Sequence, residues 1–400
     1  MQVGNFQFSY CSNIHPGESW EATFQNLKLY IPRIRQKLQW EGPFGIGLRL
    51  SNEASLDLEE EEKLHAFQAW LKEENAYVFT LNGFPYGDFH HTRVKDQVHA
   101  PDWTTAERTN YTIRSFQILA QLLPDGMNGG ISTSPISYRH WFKNQEEKAQ
   151  AMEQATSNLM EVVTALAKIH SEKGKFLHLD IEPEPDGILE NSDEVLWLFD
   201  SWLIPEGAPE LSKKLAISLP EAEKLIRDHI QVCYDICHFA IVYEHPANTF
   251  TKFKNAGIKI GKIQISAALK LNLDENRSEL HQKLLPFAES TYLHQVVGRR
   301  LDGSLISYPD LPQALEHIQE ADEKEWRIHF HVPLFVESYG TFFSTQSSIL
   351  NVLSELKNHP EITEHLEVET YTWEVLPDAM RLELGESISR ELEWVLQRLA

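Results

Sequence analysis

The sequence predicts an α/β fold, a (β/α)8 barrel of parallel strands, and three observations carry that prediction. Strand-like and helix-like segments alternate every few tens of residues along the 400-residue chain, with no Gly/Ser linker or low-complexity tract between them. Most strand-like segments show a two-residue alternation with one apolar and one polar phase. In Phe176-Leu-His-Leu-Asp-Ile-Glu182 the polar phase carries the ionisable residues His178, Asp180 and Glu182, and the segment ends at a Pro-rich turn. Strands of an open doubly wound sheet are covered by helices on both faces and read as nearly continuous apolar runs. A barrel strand has one face on helices and the other on a lumen, which can be polar near the catalytic end. One domain spanning residues 1–400 is therefore expected.

The expected strands are Phe6–Cys11, Gly45–Leu50, Tyr77–Asn82, Gly130–Ser134, Phe176–Glu182, Gln231–Ile236, Ile258–Ser266, Trp326–Val332 and Leu366–Tyr371. In the first, Phe6, Phe8 and Tyr10 oppose Gln7, Ser9 and Cys11; in the second, Ile46, Leu48 and Leu50 oppose Gly47, Arg49 and Ser51. Phe79 and Leu81 oppose Thr80 and Asn82. Val232, Tyr234 and Ile236 oppose Cys233, Asp235 and Cys237, and Ile263 and Ile265 oppose Lys262, Gln264 and Ser266. Ile328, Phe330 and Val332 oppose Arg327, His329 and His331, and Leu366 and Val368 oppose Glu367 and Glu369. Between them, Thr104-Thr-Ala-Glu107 reads as a capping box. A long helix runs from about Gln145 to Glu172 and stops at Gly174; others open at Ser192 and Pro220 and cover 345–357 and 386–399. Nine strands exceed eight barrel places. Either Gly130–Ser134, the weakest in pattern, or Trp326–Val332, which falls in the longest interval, is accessory.

Composition removes several function classes. No stretch approaches the ~20 apolar residues of a membrane span, and Met1-Gln-Val-Gly-Asn-Phe-Gln-Phe-Ser has no signal-peptide pattern, so a cytoplasmic protein is expected. Cys11, Cys233 and Cys237 are expected to be buried reduced thiols. A net charge of −23 repels a polyanion, so no nucleic-acid partner is expected. The acidic run Asp57–Glu62 suits the first turn of a helix. Neither Gly-x-Gly-x-x-Gly after the first strand nor a Walker A motif is present.

Barrel chemistry sits at the C-terminal strand ends. Read in order, these offer Asn13, His15 and Glu18; Ser51 and Asn52; Asn82; Glu182; Asp235 and His238; Gln264 and Ser266; His331; and Glu369. Carboxylates in a closed lumen must pair or bind a cation. Glu182, Asp235 and Glu369, with an amide or imidazole from a neighbouring strand, make a mostly oxygen set suited to Mn²⁺, Mg²⁺ or a similar divalent ion. Such an ion can hold the adjacent oxygens of a sugar-like ligand while two carboxylates move a proton between carbons. His90-His91, in the long loop after the third strand, serves at most to close the barrel.

This ordered set resembles the xylose isomerase-like barrel superfamily, which includes sugar epimerases, hydroxypyruvate isomerases and the endonuclease IV group. There a Glu ends the fifth strand, Asp-x-x-His the sixth, His the seventh and Glu the eighth. Leu179-Asp-Ile-Glu182, Tyr234-Asp-Ile-Cys-His238 and Val368-Glu369 match, whereas Gln264 stands where a His is usual. The resemblance makes Gly130–Ser134 the fourth strand and Trp326–Val332 the extra element. More narrowly, the chain is similar to the EboE group of metabolite traffic proteins. The similarity lies in Tyr10-Cys-Ser-Asn-Ile-His-Pro-Gly-Glu-Ser-Trp20, Phe79-Thr-Leu-Asn-Gly-Phe-Pro-Tyr-Gly87, His178-Leu-Asp-Ile-Glu-Pro-Glu-Pro-Asp-Gly187 and Glu369-Thr-Tyr-Thr-Trp373.

The resemblance implies a site in which Glu182, Asp235, Gln264 and Glu369 hold the metal. Glu182, Glu369 and His238 would be catalytic, and His15, Asn82 and His331 would contact the substrate. It also implies a small-molecule metabolite as ligand and other proteins of the same bacterial gene cluster as partners. Three functions follow: a metal-dependent sugar isomerase or epimerase, a non-catalytic metabolite binder that keeps the pocket, and an endonuclease IV-like phosphodiesterase. The last is disfavoured by charge and by a short histidine set.

Overall fold

The computed structural model describes residues 1–87, 95–274, 276–288, 291–373 and 383–399; His90 and His91 lie outside them. Eight parallel strands form the barrel: β1 (Phe6–Tyr10), β2 (Phe44–Arg49), β3 (Ala76–Asn82), β4 (Gly129–Thr133), β5 (Leu177–Ile181), β6 (Ile230–Asp235), β7 (Ile260–Ile265) and β8 (His365–Val368). Each pairs in parallel with its neighbour from β2 round to β8, and β8 pairs with β1. The ring closes through a parallel bridge between Cys11 and Gly47. Ser9 reinforces the seam, its Oγ donating to the Gly45 carbonyl at 2.7 Å and accepting from the Gly47 N–H at 3.1 Å.

The helices begin and end where local chemistry dictates. Gln145–Lys173 starts at Asn144, whose Oδ1 accepts from the Glu147 N–H at 2.9 Å, and stops at Gly174 with φ +66°. Leu219–His229 carries a Ser218/Glu221 capping box. Ala106–Leu122 is capped by Thr105 rather than Thr104. Asp102 decides between them: its Oδ1 accepts from the Thr104 N–H at 3.0 Å and from the Thr104 hydroxyl, which leaves Thr105 to cap.

Gly130–Ser134 is a barrel strand and Trp326–Val332 is not. The latter overlaps Glu325–His331, the third strand across a six-stranded antiparallel sheet inserted between β7 and β8. The sheet starts with Ala268–Asn272, directly after the C-terminal end of β7, and includes Val296–Arg299, Leu305–Tyr308, Ser338–Tyr339 and Phe342–Ser344. Because the insertion leaves from a strand's C-terminal end, it carries side chains to the barrel mouth.

Stepping two residues along each strand produces stacked polar layers in the lumen. The deepest holds His178 and Asp180, Nδ1 to Oδ1 2.6 Å, with His365 stacked on His178. Room for them comes from glycine: a Cβ at Gly261 would lie 1.9 Å from Asp180 Oδ1, and one at Gly130 2.4 Å from Asp180 Oδ2. Above lies a buried ion pair, Lys262 Nζ to Glu367 Oε2 at 2.7 Å, with neither side chain exposed. Gly47 admits Glu367, whose Oε1 would sit 1.8 Å from a Cβ there. The third layer is the barrel mouth.

The C-terminal helix Leu384–Leu399 packs Glu391 against the mouth, where its Oε1 accepts from the Leu334 N–H at 3.2 Å and the Thr370 hydroxyl at 2.9 Å. Burial raises this carboxyl to about 8, despite those two donors. The folded chain therefore holds a proton that the unfolded chain releases above its ordinary value of 4.5. Stability from this group is complete below that value and is lost as pH rises towards 8, by up to about 1.4 kcal/mol per unit. Urea unfolding between pH 5 and 8 should show this slope, and Glu391→Gln should flatten it.

Candidate metal centre

β6 ends in Asp235, and Glu182 and Glu369 directly follow β5 and β8; all three are at most 5% exposed, and one carboxylate oxygen from each lies within 4.8 Å of the others. Glu369 Oε1 accepts from Asn13 Nδ2 at 2.7 Å and Asn82 Nδ2 at 3.1 Å. Asp235 Oδ1 accepts from the Ser266 hydroxyl at 2.7 Å and the His238 N–H at 3.1 Å, capping the Ile236–Ile241 helix. Glu182 Oε2 and Asp235 Oδ2 have no hydrogen-bond donor among the described residues. The nearest buried ammonium, Lys262, is engaged with Glu367. Burial, then the neighbouring carboxylates, push Glu182 and Glu369 well above the usual carboxyl range. Burial also pushes Asp235 upward, but His238, His331 and the Ser266 hydrogen bond outweigh it and hold that carboxyl below its ordinary value. Orphaned carboxylate oxygens converging in a dry site fit a divalent cation.

His238, His329 and His331 line the other side. His331 donates from Nδ1 to the Glu369 carbonyl at 2.9 Å, which leaves its Nε2 as a buried acceptor without a partner among the described residues. Burial lowers its imidazole to about 4. A ligand atom of His331 lies within 4.8 Å of ligand atoms of Asp235 and His238.

Two expected site residues stand elsewhere. The Gln264 oxygen accepts from the Cys233 thiol at 2.8 Å, leaving its Nε2, a donor, without a partner among the described residues. A donor is the wrong group for a cation, so Gln264 could ligate only after its amide turns over. His15 stacks on Tyr30 at 4.2 Å and pairs through Nε2 with the Tyr10 hydroxyl at 2.9 Å. It faces a small cavity with Gly17, Asn26 and Arg49, apart from the one lined by Glu182 and Glu369. Glu18 is tied to Arg49 at 2.9 Å. All three cysteines are free and buried.

The central cavity, about 60 Å³, is lined by Asn13, Asn82, Glu182, His238 and Glu369 together with residues not singled out from sequence: His99, Glu184, Tyr292, Gln295 and Tyr371. A larger cavity of about 790 Å³ opens at the N-terminal strand ends, around Asn128, Phe176, Ile258 and Thr363. In barrels the N-terminal end carries stability rather than chemistry, so the smaller cavity is the functional candidate. Among the described residues no helix is long and apolar enough to cross a membrane.

No family model and no curated protein matches the chain. Solved structures do, at low identity. A D-tagatose 3-epimerase-like protein aligns with a TM-score of 0.51 at 10% identity, over 98% of this chain and 97% of that one. A xylose isomerase-like TIM barrel protein from Mycobacterium smegmatis, solved in complex with magnesium, aligns at 0.48 and 11% over 98% of both chains. The zinc-bound IOLI protein aligns at 0.46 and 10%, again over 98% of both. The chain shares its (β/α)8 TIM-barrel fold with the D-tagatose 3-epimerase-like protein.

Proposed function

We propose that the chain is a divalent-metal-dependent isomerase or epimerase acting on a small polar metabolite with adjacent carbonyl and hydroxyl oxygens. The observation that carries it is the convergence of Glu182, Asp235 and Glu369, with Glu182 Oε2 and Asp235 Oδ2 lacking any described donor. These three carboxylates would hold the ion; when bound, it supplies Lewis-acid stabilisation of an enediolate. Glu182 and Glu369, on separate strands, are placed to take and return a proton at the substrate carbons. His238 and Asn82, which line the cavity, and His331 beside Asp235 would orient the substrate. A cavity of about 60 Å³ favours a compact ligand.

The finer reading, a metabolite traffic protein of the EboE type, rests on the resemblance of four stretches alone, since strand-end residues meet at the mouth of any such barrel. Each of the four stretches that carry the resemblance places a residue on the same cavity: Asn13, Asn82, Glu182 and Glu369. The non-catalytic binder is the alternative within this reading. The phosphodiesterase keeps the net charge of −23 against it. The other argument against it weakens, because three buried histidines do face the site.

Glu182→Gln tests the proposal. The parent protein is expected to retain one divalent ion at these carboxylates through purification and to catalyse solvent-deuterium exchange into a pool of small aldoses and ketoses; the variant should lose both. Metal bound without exchange in the parent would select the binder, and a parent that binds no divalent ion would remove both readings.

A further inference from the structure

Beside the carboxylates, the inserted sheet brings a second set of donors to the mouth. His329 and His238 approach with their Nε2 atoms 3.1 Å apart, both rings being at most 5% exposed. The partners of the opposite nitrogens fix what those atoms are. His238 Nδ1 is 3.0 Å from the Pro183 carbonyl, which can only accept, so Nδ1 carries the hydrogen. His329 Nδ1 is 2.9 Å from Gln295 Oε1. The amide of Gln295 is itself oriented by Nε2 donating to the Pro185 carbonyl at 3.1 Å, so His329 Nδ1 is again the donor. In their neutral forms both rings therefore turn an Nε2 lone pair towards the other, an arrangement that repels unless something positive lies between them.

The geometry supplies the candidate. Two imidazoles on one zinc ion, with Zn–N near ~2.0–2.1 Å and a tetrahedral angle, hold their nitrogens about 3.3 Å apart. A Glu184 carboxylate oxygen lies within 4.8 Å of a ring nitrogen of each histidine. Glu184 is oriented from behind by His99, whose Nε2 is 2.9 Å from its Oε1, and His99 is 1% exposed. Rings fixed through Nδ1 by carbonyl groups, and a carboxylate fixed by a further side chain, form the outer support that metal ligands carry. His331 Nε2 is buried without a partner among the described residues, and a ring nitrogen of His331 lies within 4.8 Å of one of His329.

We propose that Glu184, His238 and His329 form a second cation site, preferring a borderline ion such as zinc, adjacent to the carboxylate site. The donor sets differ in kind: two imidazoles and one carboxylate favour zinc, whereas three carboxylates favour magnesium or manganese. His329 comes from the inserted sheet, so the insertion builds this site rather than only covering the mouth. The inference goes beyond the isomerase reading and does not depend on it.

Metal-free full-length protein loaded with Zn²⁺ and freed of excess should retain two ions per chain. His329→Gln should retain one, and Glu182→Gln should lose the other. X-ray absorption of the zinc-loaded parent should show imidazole scattering from about one histidine per zinc, the average of a two-imidazole site and an all-carboxylate site, a readout that does not depend on any variant folding. One ion per chain, kept in His329→Gln and lost in Glu182→Gln, overturns the second site and leaves the carboxylate reading intact. One ion lost in His329→Gln and kept in Glu182→Gln sustains the second site and overturns the carboxylate one. Oxygen-only scattering in the parent overturns the second site whatever the variants do.

Discussion

Replacing Lys262 with methionine is expected to lower the unfolding free energy by about 3–5 kcal/mol, the cost of removing one partner from a buried ion pair. The ammonium bonds Glu367 Oε2 at 2.7 Å and Ser132 Oγ at 3.1 Å, deep between β4, β7 and β8. Burial by itself would push the Lys262 ammonium down, yet Glu367 outweighs it and holds the group above its ordinary value. Glu367 has no substitute, because its Oε1, seated in the space that Gly47 leaves by having no Cβ, has no hydrogen-bond partner among the described residues. Methionine thus leaves a carboxylate in a dry lumen without a donor. Adding Glu367→Gln keeps the shape and removes the stranded charge, so the double variant should recover most of the loss. Urea denaturation at neutral pH measures both. A single variant within about 1 kcal/mol of the parent would mean that Glu367 is paired or protonated by another route.

The ion pair also explains why the barrel was legible from sequence. Lys262, Glu367 and Asp180 are polar residues on otherwise apolar strands, and only a lumen gives such a phase a place to go. All nine expected strands are strands, and the eight of the barrel follow the expected order. The inserted sheet was visible only in its longest member, Glu325–His331. Val296–Arg299, Leu305–Tyr308 and Phe342–Ser344 have three or four residues each, too few for a period to register, and are held by pairing across the sheet. Ala268–Asn272 is separated from β7 by only two residues and reads as its continuation.

The carboxylates were legible for a related reason: each lies two residues beyond a lumen residue of the same phase, as Glu182 follows Asp180 and Glu369 follows Glu367. Glu184 escaped because Pro183 and Pro185 end the alternation before it. The orientation of the histidines was beyond reach, since it is set by carbonyl groups of Pro183, Pro185 and Glu369 that only the folded chain brings near. Gln264 shows the opposite hazard. Its place on β7 suggests a ligand, but the adjacent Cys233 thiol claims its oxygen.

Glu369→Gln is expected to move stability in opposite directions with and without metal. Asn13 and Asn82 both donate to Glu369 Oε1, so the glutamine oxygen must occupy that position and its amino group the other. In the metal-free protein Glu369 must either stay charged beside Asp235 or hold a proton that the unfolded chain releases, which is what its raised value means; glutamine offers a neutral donor to a neighbouring carboxylate at neither cost. The metal-free variant should gain about 1–3 kcal/mol, the scale of a buried polar group left unsatisfied. With a divalent ion the same amino group points a donor where a ligand oxygen is required. Loss of a direct ligand should exceed the 10–100-fold that loss of an outer-shell partner costs, so affinity should fall by more than about 100-fold. Because saturating metal stabilises the folded chain through its binding constant, the parent should melt above the variant in excess Mn²⁺ and below it in chelator. A crossing of the two melting temperatures is the signature. If instead the variant is less stable in chelator, Glu369 is a structural carboxylate held by its two asparagines, and the cation site must be built without it.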